Sequence, residues 1–171
     1  MTIPLGGRGT VTANDPREIK PSALQMYPLG HQIVFPRKGA SEVWIYIQCL
    51  SGPGISANRV VERTPASIYK GDTADIDAET VNILGITQSS FAPDDFGFIL
   101  REGVAEIAHD NSLGAASNGK VVVASATTGG SVDNLVAFGA AYDRAIAAQR
   151  ECVIGSTVDA ANALFKVHCT G

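Results

Sequence analysis

The chain writes one pattern twice. "NILGITQSSFAPDDFGFILREG" (Asn82 to Gly103) and "CVIGSTVDAANALFKVHCTG" (Cys152 to Gly171) each read as an apolar strand, a polar loop and a second strand alternating at period two. They line up through Gly85 and Gly155, each preceded by a bulky apolar pair (Ile83-Leu84, Val153-Ile154) and followed by Thr87 or Thr157. Beyond the loop, Phe96, Phe98 and Leu100 correspond to Phe165, Val167 and Cys169, with one residue fewer in the second loop. A glycine inside a strand marks a bulge or a close backbone approach, as at a barrel corner. Two such hairpins, far apart in the chain, can close a small barrel and leave neither as an exposed edge. Two unrelated hairpins would also share this much.

Composition points the same way. A length of 171 residues suits one domain with a real core. Charged residues are only 18%, while Gly (18) and Pro (8) are plentiful, which favours many short strands and turns over a helical bundle. A net charge of −4 argues against a general nucleic-acid binder. The charge is uneven. Residues 1–40 hold five basic side chains against two acidic, net +3, and the other 131 hold eight against fifteen, net −7. Five of the eight prolines (Pro4, Pro16, Pro21, Pro28, Pro36) also fall in that first stretch.

Residues 1–30 therefore read as an extended N-terminal arm, because each proline fixes its own φ and removes a donor. Ile3, Leu5, Val11, Ile19, Leu24, Met26, Tyr27 and Leu29 are more apolar side chains than a solvating tail carries, so the arm is expected to order on a surface. The body, 31–171, starts at "HQIVF" (His31–Phe35). "EVWIYIQCL" follows as a strand with Val43, Ile45, Ile47 and Cys49 on one face and Trp44, Tyr46 and Gln48 on the other. "NRVVER", "GVAEIAHD" and "KVVVASAT" are further strands, spaced as in sandwiches and barrels. One stretch, near 132–150, breaks the rhythm. Leu135, Phe138, Tyr142, Ile146 and Gln149 fall at spacings of three and four with Ser131 as N-cap, which reads as a helix. Gly139 in its middle costs about 1 kcal/mol, and a long irregular excursion competes with the helix. The start "MTIPLGGRGTV" contains no apolar run of signal-peptide type, and no later segment approaches a membrane span.

In "LSGPGISANRVV", "VNILGITQSSFAPDDFGFILREGVAEI", "GKVVVASATTGGSVDN" and "CVIGSTVDAANALFKVHC" the chain, from about residue 29 to 171, resembles the head-decoration (cement) proteins of tailed bacteriophages. These motifs encode strands and turns rather than chemistry. The resemblance implies a mainly β protein, a small β-barrel (β-tulip-like) domain on the outer surface of an icosahedral capsid, often a homotrimer, made in the host bacterial cytoplasm. Its partner would be the major capsid protein, with no direct nucleic acid, no membrane and no cofactor, and it would not be an enzyme. The 132–150 stretch is longer than that family leads one to expect, and the arm has no clear counterpart in it. On the residues themselves, the basic and aromatic side chains Arg8, Arg17, Lys20, Tyr27, Arg37 and Lys38 are the candidate partner contacts. The alternative is a β-rich tail, fibre or carbohydrate-binding module, for which Trp44 and Tyr46 would be exposed platforms.

Chemical sites are few. His31, His109 and His168 lack metal-ligand spacing and read as surface or strand-end residues. Cys49, Cys152 and Cys169, an odd number widely spaced, read as buried free thiols of a reducing compartment. A Cys152–His109 nucleophile pair has no local support. Asp72, Asp75, Asp77 and Glu79 could offer oxygen ligands to calcium but lack the EF-hand glycine and distal glutamate, so a solvated acidic turn explains them equally well. "GGRGT" has no preceding strand or following helix and is not a phosphate loop.

Overall fold

The computed structural model describes residues 15–37, 40–64, 67–74, 83–112, 114–125, 128–134, 153–161 and 164–169. They form ten strands: β1 (Gln32–Arg37), β2 (Ala40–Cys49), β3 (Val60–Arg63), β4 (Lys70–Thr73), β5 (Ile83–Ile86), β6 (Phe96–Glu106), β7 (Val121–Ala124), β8 (Val132–Asn134), β9 (Val153–Asp159) and β10 (Leu164–His168). There is no helix among the described residues. Of the stretch expected to be helical, Val132–Asn134 is strand and 135–150 lies outside the described residues.

Five strands close a barrel. β2 runs parallel to β4, β4 pairs β3, β3 pairs β5, β5 pairs β6, and β6 returns antiparallel to β2. Strand alternation fills it: Ile45, Ile47 and Cys49 of β2 share one buried cluster with Val61, Leu84, Ile99, Ile55 and Phe91. Each such side chain contributes about 1.5–3 kcal/mol by leaving water. The opposite face of β2 and β6 carries Trp44, Tyr46, Phe98 and Leu100, which belong to a second cluster continuing through Ile107, Val122 and Phe165.

That second cluster reaches into a second circuit of the same topology. β6 is long, and its far half pairs β10 rather than β2. β10 pairs β9, β9 pairs β7, and β7 pairs β8. β8 then returns in parallel to the continuation of β6, where Val132 N donates to Ala108 O (2.8 Å) and Asp110 N to Val132 O (2.9 Å). The bond from Leu50 N to Gly71 O (2.8 Å) does the same in the first circuit. The far half of β6 thus plays in barrel 2 the part that β2 plays in barrel 1.

Backbone detail repeats as well. Thr87 exchanges two bonds with Asn58 and Arg59, and Thr157 does so with Gly119 and Lys120, all at 2.7–2.9 Å. Asn58 and Gly119 both hold positive φ (62° and 78°). Val61 pairs Gly85 and Glu62 pairs Ile83, skipping Leu84; Val122 pairs Gly155 and Val123 pairs Val153, skipping Ile154. The two glycines have one reason. A Cβ at Gly85 would sit 2.5 Å from Leu100 O, and one at Gly155 would collide with Lys166 O.

The repeated hairpin is therefore one part of a duplicated barrel, and each copy serves its own circuit instead of both closing one. The pairings also correct its register. Trp44 opposes Leu100 and Val104 opposes Lys166, so Leu100 corresponds to Lys166 and Ile99 to Phe165. The expected match of Leu100 with Cys169 is three residues out. It follows the larger aromatics of β6, which lie on the face outside barrel 1, whereas Ile99, the counterpart of Phe165, belongs to the inner cluster of barrel 1.

Candidate interaction surface

Residues 15–31 form a strap across the outer face of barrel 1. Ser22 and Phe96 exchange backbone bonds (3.0 and 2.8 Å), Met26 N donates to the Tyr46 hydroxyl (3.0 Å), and Gly30 N donates to Tyr46 O (2.8 Å). Ile19, Tyr27 and Leu29 pack on the cluster beneath. This cover is why both faces of β2 are buried, with Trp44 at 1% and Tyr46 at 0% exposure. Neither aromatic is an exposed platform for a sugar.

The candidate contact residues fall in different places. Arg17 turns inward: its Nη2 donates to Glu42 Oε1 (2.5 Å) and Val104 O (3.2 Å), and the guanidinium lies 5.8 Å from the Trp44 ring centre. Trp44 Nε1 donates to the other Glu42 oxygen (3.1 Å). A carboxylate this buried is tolerable only with such partners. Tyr27 also turns inward, stacked on His31 at 5.3 Å and edge-on to Tyr46 and Phe98. Lys20 is exposed. Arg37 ends β1. Arg8 and Lys38 lie outside the described residues. Of the arm's expected apolar anchors, Leu24 and Met26 face outward, 72% and 52% exposed, while Ile19, Tyr27 and Leu29 pack on the barrel. Val34 of β1 is exposed too.

A second surface lies where the barrels meet. A cleft of ≈ 540 Å³ runs between Ser56–Arg59 of barrel 1 and Glu106, Ala108, His109, Asn111, Ala115, Ala116 and Ala160 of barrel 2. Arg59 Nη1 reaches across to Ser131 Oγ (2.5 Å), and Ala108 N donates to Asn58 O (2.9 Å). His109 was expected at a surface or strand end. It does end the β6 continuation, but its side chain is 6% exposed and stacks on Phe165 at 6.0 Å. Nδ1 contacts Asn111, and Nε2 makes no hydrogen bond but lies 4.0 Å from the buried Asp133 Oδ1. Around it barrel 2 buries Asp133, which accepts from Ser112 Oγ (2.5 Å), and Ser125, which donates to Asp110.

Cys49 and Cys169 are buried free thiols; Cys152 lies outside the described residues, and with it any pairing to His109. Burial pushes the Cys169 thiol up to about 12 against the opposing pull of Arg101, and burial raises Cys49 as well. Asp72 lies on β4, while Asp75, Asp77 and Glu79 are outside the described residues. Among the described residues no three acidic, His or Cys side chains gather as metal ligands, and no helix is long and apolar enough to cross a membrane. No protein-family model matches this chain, and no curated protein matches it either.

Proposed function

We propose that the chain is a structural protein of a phage particle, bound to the outside of an icosahedral capsid, where it stabilises contacts between major capsid proteins. The observation that carries this reading is the strap. Its inward side chains fix it to barrel 1, and the same segment presents Leu24 and Met26 to solvent beside the exposed charge of Lys20. Apolar anchors held on a rigid support bind a groove without the ordering cost of a loose tail. The chain's resemblance to decoration proteins adds the capsid as the surface to be bound. Assembly as a homotrimer belongs to the same proposal, since repeated weak contacts on a symmetric lattice gain strength by multivalency. The sugar-binding alternative is not favoured, because Trp44 and Tyr46 lie under the strap.

The test is co-sedimentation of the purified chain with shells stripped of it. Leu24→Asp with Met26→Asp is expected to weaken binding at least tenfold, and Lys20→Glu by less. Val158→Asp, on an exposed valine of barrel 2, serves as the control. Equal binding by all three variants removes the strap from the mechanism.

A further inference from the structure

The duplication shows where barrel 2 has departed from barrel 1. Ile47 and Gly54 reappear as Ile107 and Gly114, and the turn bond from Gly54 N to Ser51 O reappears from Gly114 N to Asn111 O. Scaffold positions are kept. Ile107 is also part of the cleft lining, but four other lining positions differ from their counterparts: Tyr46 matches Glu106, Gln48 matches Ala108, Cys49 matches His109, and Ile55 matches Ala115. Two larger side chains thus correspond to alanine and two others to ionisable groups, and Glu106 and His109 both line the cleft.

We propose that this cleft binds a small zwitterion, such as a free amino acid or dipeptide, with Arg59 taking its carboxylate and Glu106 its ammonium group. Its volume of ≈ 540 Å³ suits a ligand of that size. Arg59 spends one N–H on Ser131 Oγ, and a guanidinium has five. Glu106 is exposed and pairs with no cation among the described residues. Both residues line the cleft, and among the described residues no ion pair joins them. His109 also lines the cleft with its ring nine-tenths buried; Nδ1 contacts Asn111 of the cleft wall, while Nε2 lies toward the buried Asp133 at 4.0 Å. Alanines at 57, 108, 115, 116 and 160 leave an apolar floor for the ligand's carbon skeleton.

This site does not depend on the capsid reading and is tested on the isolated full chain. Amide spectra are recorded by NMR during titration with glycylglycine, and in parallel with the uncharged N-acetylglycinamide. Saturable shifts at Ala108, Ala115 and Ala116 with the zwitterion, at least tenfold weaker with the neutral compound, are expected. Glu106→Gln and Arg59→Gln should each lower affinity about tenfold or more, the loss of one charge-assisted contact. Arg59→Lys, which keeps the charge, should lie between, and its dispersed spectrum guards against reading misfolding as lost binding. No saturable shift with glycylglycine overturns the proposal, as does equal binding of the two compounds or an unchanged affinity in Glu106→Gln.

Discussion

Where barrel 1 buries Cys49 in one cluster with Ile47, Leu84 and Ile99, barrel 2 at the matching position buries His109 against Phe165 with a ring nitrogen left unpartnered. The same backbone circuit holds two kinds of interior. The inner cluster of barrel 1 is apolar and its outer face is sealed by the strap, although Thr64 at the end of β3 also carries an unpartnered buried oxygen. Barrel 2 carries a polar set that includes Asp133, Asn134, Ser125, Ser131 and Thr157, with unpartnered atoms on Asn134 and Thr157 as well. The scaffold is thus held by features indifferent to side-chain polarity: the skipped residue beside Gly85 and Gly155, the threonine exchange and the parallel closure. Once those are met, the interior of one copy is free to change.

The sharpest way to break this comparison is at the shared glycines. Gly155→Ala and Gly85→Ala both drive a Cβ into a backbone oxygen, and both should lose cooperative folding or several kcal/mol of stability, Gly155→Ala the more. Thermal unfolding checks it; tolerance at either position would mean that the two bulges are not equivalent. Next comes the strap. Arg17→Ala removes a charged donor from the buried Glu42 and should cost about 1.5–3 kcal/mol in denaturant melts. Adding Glu42→Gln should recover part of that loss. If Arg17→Ala is neutral, the strap is held by its apolar contacts alone.

Smaller effects separate the interiors. Ile47→Ala and Ile107→Ala remove the same side chain from matching positions, 0% and 1% exposed. Each should cost roughly 2–5 kcal/mol, with Ile47→Ala at the upper end because it sits in an enclosed apolar cluster whereas Ile107 lines the cleft. A larger cost at Ile107 would reverse the contrast. Last are the thiols. Cys169 is raised in the folded state to about 12 and Cys49 is raised too, so the unfolded chain releases their protons first. For Cys169 the stability is full below the unfolded thiol value near 9 and falls as pH rises toward 12, by up to about 1.4 kcal/mol per pH unit, and the raised Cys49 acts in the same direction. Cys49→Ala and Cys169→Ala should flatten that slope, and in the native protein these two thiols should react slowly with thiol reagents at pH 8.

Much of this was legible in the chain. β2 is readable from strict alternation, the barrel from short strands and frequent turns, and the repeat from Gly85 and Gly155, whose steric role is local. The rest needed long-range pairing. Nothing local to Trp44 and Tyr46 says that a strap 20 residues upstream covers them, or that Arg17 is taken by Glu42. The offset between "NRVV" and "GKVV" was a usable sign of duplication beyond the hairpins. It is weak because Asn58 and Gly119 match through a shared positive φ and not through residue type. His109 could not be recognised as buried until its equivalence to Cys49 was known.

The most direct test of the capsid reading is the copy number of this chain in purified native particles, by quantitative mass spectrometry against the most abundant shell protein. One copy per shell subunit, or a simple fraction of that, is the predicted result. A handful of copies per particle, or none, would contradict it.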